Sequence, residues 1–172
     1  MEWEALVEQH QRMVYRIAFS VLRNHHDAED AAQEAFLKVF RNAAKLDAVT
    51  DAKGWVARIA WNAALDRKRQ ARPAEVSAED LTRGIQSLRD GGRSPEEIAK
   101  TSEMQRLLNQ IILTLPAKLR DALTLSTVED LGYAEVAVAL GTSEAAIRAR
   151  VFQARRQIKE KLDRMMGVEV EA

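Results

Sequence analysis

Cysteine is absent from all 172 residues, which excludes a disulfide framework and any thiolate metal site. Proline occurs 3 times and glycine 7 times, and few stretches alternate apolar with polar residues. Both shortages argue against a sheet and for an all-α fold. No uninterrupted apolar run approaches the ~18 residues that a membrane span needs. The opening MEWEALVEQH is acidic and amphipathic, unlike a secretory signal. No membrane insertion and a cytoplasmic location are therefore expected. Histidine occurs 3 times, and no nucleophile–base pair can be assembled from the sequence. His25-His26-Asp27 reads better as a solvated helix-start loop than as a metal site. Gly91-Gly92 lacks the Lys and Ser/Thr of a phosphate-binding loop. No enzymatic activity, cofactor or metal is expected.

Net charge is also missing, at +0 with 26 basic and 26 acidic residues, which taken alone disfavours a nucleic-acid partner. The total conceals segregation. Residues 55–72 hold Arg58, Arg67, Lys68, Arg69 and Arg72 against Asp66, a net of +4. Residues 146–161 hold Arg148, Arg150, Arg155, Arg156, Lys159 and Lys161 against Glu160, a net of +5. Residues 27–34 hold Asp27, Glu29, Asp30 and Glu34 with no base. Two basic patches suggest two separate contacts with DNA.

What is present in quantity is helical periodicity. A first helix is predicted over residues 3–23, with Leu6, Met13, Val14, Ile17, Ala18, Val21 and Leu22 inward. RNHHD breaks it, and Asp27 is the expected N-cap of a second helix over 28–42. There Ala28, Ala31, Ala32, Ala35, Phe36 and Val39 face inward, while Glu29, Asp30, Gln33, Glu34, Lys38 and Arg41 stay outward. Residues 46–54 read as a loop, and a third helix runs from 52–55 to about 70 on a stripe of Val56, Ile59, Ala60 and Ala63. Its other side collects Arg58, Trp61, Asn62, Leu65 and Arg69. That face suits single-stranded nucleic acid: the aromatic stacks on a base, the amide reads a base edge and the arginines hold phosphate. The competing reading has Trp61 packed on a neighbouring element.

From 71 to 93 the pattern fails among Pro73, Gly91 and Gly92, a linker with a short helical turn near 81–88. Ser94-Pro95-Glu96-Glu97 then starts a helix through Ile98, Met104, Leu107, Leu108, Ile111 and Ile112, stopped at Leu115-Pro116. Another follows over 117–127, on Leu119, Ala122, Leu123 and Leu125. Residues 133–162 read as helix, tight turn, helix. Gly141 takes the turn, Thr142 and Ser143 can cap the second helix, and Ile147, Val151, Ala154, Ile158 and Leu162 form its inward stripe. One apolar edge and an arginine-rich remainder fit a DNA major groove.

Four segments together resemble one family. DAEDAAQEAFLKVF is similar to the region 2.2 motif of sigma factors of the extracytoplasmic function (ECF, group IV) class. DAKGWVARIAWNAALDRKRQ resembles regions 2.3–2.4, LPAKLRDALTL resembles LPxxxRxVxxL, and LGYAEVAVALGTSEAAIRARVFQARRQIKEKL resembles region 4.2. The order and spacing cover nearly the whole chain. The resemblance implies two small helical domains joined by a flexible linker, with domain 2 at 1–70, linker at 71–93 and domain 4 at 94–172.

By matching position, the resemblance assigns Asp30, Gln33, Glu34 and Lys38 to core RNA polymerase, at the clamp coiled coil of its largest subunit. Without the resemblance that face would read as solvated. The resemblance assigns Arg58, Trp61, Asn62, Arg67, Lys68 and Arg69 to the melted −10 element, with Asn62 as base reader. Ser143, Arg148, Arg150, Gln153, Arg155 and Arg156 fall to the −35 duplex. It further implies a contact with the polymerase flap, promoter DNA as ligand, an anti-sigma factor as partner, and no obligate homo-oligomer. The chain departs from the family at Gly132, Ala145, Ala146, Ala149, Gln153 and Trp61; Gly132 removes an expected cap, and Gln153 favours adenine where Arg favours guanine. Two other readings are a decoy that titrates an anti-sigma factor and a stand-alone helix-turn-helix repressor. Neither accounts for arginines in both helices.

Overall fold

The computed structural model describes residues 3–70 and 95–167, with side chains from 102 onward in the second stretch. Every regular element among them is a helix: α1 Trp3–Leu22, α2 His25–Arg41, α3 Ala43–Leu46, α4 Ala52–Gln70, α5 Pro95–Leu113, α6 Ala117–Ser126, α7 Tyr133–Leu140 and α8 Glu144–Met165. The predicted linker and its turn near 81–88 lie outside the described residues.

The first unit is three long helices whose apolar stripes meet. Leu6, Met13, Val14, Ile17 and Ala18 of α1 are buried, as are Ala28, Ala31, Ala35 and Val39 of α2. Alanine along α2 lets backbones approach, and α4 fills the third side with Val56, Ala60, Ala63 and Ala64. Ile17, Val14, Val39 and Val56 are wholly buried; removing such side chains from water is worth about 1.5–3 kcal/mol each. The second unit wraps α6, α7 and α8 around Leu119, Leu125, Val136, Ile147 and Val151, with Ile111 of α5 beneath. The inward stripe expected of α6 is buried in full, at Leu119, Ala122, Leu123 and Leu125.

Several local expectations change. α2 starts at His25, three residues early, because the Asn24 side chain and not Asp27 caps it, accepting from the Asp27 N–H at 3.0 Å. The break between α1 and α2 shrinks to Arg23 and Asn24, and Arg23 takes the left-handed conformation at φ 54°. An unexpected one-turn helix, α3, follows Asn42 at the end of α2 and meets the interval read as a loop only at Leu46. Met104, expected inward, is exposed. Gly132 has no side chain to cap α7, but the Glu135 carboxylate accepts its N–H at 2.8 Å and supplies half of a capping box.

Candidate nucleic-acid interface

The helix-turn-helix is set by three local features. Gly141 sits in the left-handed region at φ 67°, where a Cβ would be strained. The Thr142 N–H returns to the Ala137 carbonyl at 3.0 Å, closing α7. Ser143 Oγ accepts the Ala146 N–H at 3.1 Å and opens α8. α8 then buries only Ile147, Val151 and Ala154, at i, i+4 and i+7. Arg148, Gln153, Arg155 and Arg156 are exposed and Arg150 is half-buried.

Two of those arginines are pre-positioned. Arg148 bonds Glu144 one turn back at 2.7 Å, and its guanidinium lies 5.4 Å from the centre of the Tyr133 ring. Arg156 reaches Glu160 at 3.2 Å. Both pairs are exposed and local, so they orient the cations while leaving them available to phosphate. Ser143 lies beside them at the start of the helix, its hydroxyl committed to the cap. Sequence reasoning missed Phe152, which is 68% exposed one turn beyond Arg148. The signal was a large apolar residue at an outward helical position among cations.

The first basic helix, α4, is capped by Asp51, whose carboxylate accepts the Gly54 N–H at 2.9 Å. Arg58, Asn62, Lys68 and Arg69 are exposed, and Arg58, Asn62 and Arg69 fall on one stripe at i, i+4 and i+11. Trp61 does not join them. It is 5% exposed and belongs to a buried cluster that draws on both units of the chain. The expectation of an exposed Trp61 is corrected. A helical wheel shows only which way the ring points and not what lies there, and the ring is buried. Arg67 is engaged elsewhere in this structure. It crosses to α2, bonding Asp30 at 2.7 Å and lying 3.5 Å from Asp27.

The α2 face is consequently less free than its sequence implied. Asp30 is held by Arg67 and lies 3.7 Å from His26; Lys38 lies 3.4 Å from Glu34 and 3.7 Å from Asp66 of α4. Gln33 is exposed. Beside this network Leu37 and Phe40 are also exposed, and the Phe40 ring meets Trp3 edge-on at 5.1 Å. Charged groups flanking an apolar patch suit a protein surface better than DNA. No group of three or more potential metal ligands occurs among the described residues, and no helix among them is long and apolar enough to cross a membrane.

Residues 6–74 match the family described as Sigma-70 region 2, and residues 105–158 match Sigma-70, region 4. The ECF RNA polymerase sigma factor SigE of Mycolicibacterium smegmatis is 34% identical over 160 residues, covering 93% of this chain and 61% of that protein. SigW of Bacillus subtilis is 31% identical over 163 residues, covering 91% of this chain and 87% of that one. The RNA polymerase sigma-H factor of Pseudomonas aeruginosa is 31% identical over 170 residues, covering 95% and 88%. The chain thus spans under two thirds of the mycobacterial relative and most of the other two. Among solved structures, CnrH in complex with the cytosolic domain of CnrY aligns at a TM-score of 0.60 and 21% identity, over 94% of this chain and 87% of that one. The sigma factor RpoE in complex with the anti-sigma factor NepR from Bartonella quintana aligns at 0.57 and 20%, over 93% and 96%. With both regions in order along one helical chain, and relatives above 30% identity across most of their length, this chain belongs to the ECF RNA polymerase sigma factors of the sigma-70 superfamily.

Proposed function

We propose that this chain binds core RNA polymerase in the cytoplasm and directs promoter-specific initiation, with no catalytic step of its own. The division of labour is residues 1–70 for polymerase and the −10 element, 71–93 as connector and 94–172 for the −35 element. The carrying observation is a pair of basic helices, α4 and α8, each burying an apolar stripe while cations stay exposed on another face. α8 reads the −35 duplex through Arg148, Arg150, Gln153, Arg155 and Arg156, with Phe152 placed for a thymine methyl. Asn62 reads an unstacked −10 base while Arg58, Lys68 and Arg69 hold the backbone. Capture of unstacked bases offsets the few kcal/mol that melting costs.

The polymerase-docking face on this reading is Gln33, Glu34 and Lys38 with the exposed Leu37 and Phe40, and Asp30 is its Arg67-braced edge. An anti-sigma factor is the expected inhibitory partner. A decoy would need neither set of exposed cations, and a stand-alone repressor would need only α8. Run-off transcription with purified core polymerase tests the reading. Added chain should direct initiation at a subset of promoters, and Asn62→Ala should impair opening while core affinity stays unchanged. No directed initiation at any promoter in a genomic library would overturn it.

A further inference from the structure

Where α7 and α8 begin, few donors are left for a DNA phosphate. The Gly132 N–H is taken by the Glu135 carboxylate at 2.8 Å, and the Ala146 N–H by Ser143 Oγ at 3.1 Å. A Cβ at Gly132 would fall 2.7 Å from Glu135 Oε2, so that carboxylate lies tight over the start of α7. Gly132, Ala145 and Ala146 carry no side-chain donor. Both first turns also carry a carboxylate, Glu135 and Glu144, which repels an approaching phosphate. Arg148 is the cation set against them, and it is held from two directions. Its guanidinium lies 5.4 Å from the centre of the Tyr133 ring, and its Nη2 donates to Glu144 at 2.7 Å. The ring covers one face of the guanidinium and Glu144 takes one edge, so the other in-plane N–H donors stay free.

Tyr133 is a firm support for that cation. It is the first residue of α7, half-buried and packed against the hydrophobic core. In a helix-turn-helix the first helix crosses the sugar–phosphate backbone while the second lies in the major groove. A guanidinium on α8 that leans on the first residue of α7 therefore stands at the edge of the groove, on the side of the backbone. An exposed arginine without such a support loses rotamer freedom when it binds, and that loss lowers affinity. We infer that Tyr133 is a positioning residue for −35 binding: its ring holds Arg148 ready for a backbone phosphate, and Tyr133 itself touches no DNA. The inference rests on the −35 role proposed above. It separates Arg148, as a sequence-independent anchor, from the readers further along α8.

The test is equilibrium binding of the full-length chain, assembled with core polymerase, to promoter fragments over a range of salt concentrations. Arg148→Ala should lower the slope of log affinity against log salt by about 0.9, the share of one phosphate contact, and weaken every −35 sequence alike. Tyr133→Leu should weaken binding about two- to fivefold at every salt concentration with the slope kept, since the contact is still made but must first be ordered. Tyr133→Phe keeps the ring and should bind like the wild type. In the Arg148→Ala background Tyr133→Leu should cost nothing further, whereas a merely destabilised chain would lose as much in both backgrounds. Equal losses in both backgrounds would overturn the positioning role. So would a Tyr133→Phe chain as weak as Tyr133→Leu, because the hydroxyl would then meet DNA itself. An unchanged salt slope in Arg148→Ala, or a loss confined to one base pair, would overturn the phosphate contact. A wild-type complex indifferent to the −35 sequence would defeat the −35 role, whereas a sequence-dependent wild type indifferent to Tyr133→Leu would defeat the positioning alone.

Discussion

α4 and α8 are both basic, about five and six turns long, and both assigned to DNA, yet they are built differently. α8 buries three residues along one stripe, and its two ion-paired arginines, Arg148 and Arg156, meet glutamates on the same helix. α4 buries seven residues and packs against α1, α2 and α7. Its Arg67 crosses to two carboxylates of α2, and its Trp61 is sealed in the joint core. A helix that must enter a groove keeps its neighbours on one side. A helix that organises a bundle leaves only a narrow stripe, here Arg58, Asn62 and Arg69, for recognition. Net charge per helix therefore overstates the cations that stay exposed on α4 and describes those of α8 more fairly.

The comparison can be broken most forcefully at the single stripe of α8. Ile147 is wholly buried, and Ile147→Ala should destabilise the second unit by about 2–4 kcal/mol, read by chemical denaturation. A loss under about 1 kcal/mol would mean that α8 has other anchors. The next effect is on recognition. Arg150→Ala or Gln153→Ala should weaken −35 duplex affinity by roughly 1–3 kcal/mol, and Gln153→Arg should move the preference at one position from adenine towards guanine. Competition binding with single-base variants measures both. Ser143→Ala removes the cap of α8 and should cost about 1 kcal/mol, visible as a lower melting temperature.

Arg67→Ala is the sharpest test of α4, although its energy is smaller. The Arg67 pairs with Asp27 and Asp30 are about one-third exposed, so their loss should cost roughly 0.5–1 kcal/mol of stability. Affinity for a −10 single strand should stay unchanged, while Arg58→Ala lowers it; an equal fall for both would return Arg67 to the DNA face. The smallest effect is a pH dependence at His10. Burial, and then the neighbouring Lys53 charge, holds this imidazole's pKa below its ordinary value. The unfolded chain takes up a proton near pH 6.5 while the folded chain still resists. Its contribution is thus fully present above about pH 6.5 and is lost as pH falls from there through the lowered value. Denaturation midpoints between pH 7 and 5 should fall less steeply for His10→Gln.

Residue spacing made seven of the eight helices legible, because a 3.6-residue period needs only the local sequence. The same spacing exposed Arg148, Gln153, Arg155 and Arg156, since a helix whose neighbours all lie on one side has one buried stripe. It failed at Trp61 and Arg67, whose surroundings come from residues tens of positions away. It also failed at the start of α2, where Asn24 and not the expected Asp27 caps the helix. Leu37, Phe40 and Phe152 escaped notice because periodicity places apolar residues inside by default and gives no signal for a functional exception.

By itself the sequence determined the all-helical class, the order of the two regions, the glycine turn at 141 and the outward arginines of α8, all consequences of local periodicity, backbone conformation and charge. Only the tertiary structure decided which face of α4 remains open. Gly54 is a local residue of one helix, but it lies against Val138 of α7, more than 70 positions later, and Trp61 is buried in a cluster that draws on both units; no local rule reports what a distant helix will cover.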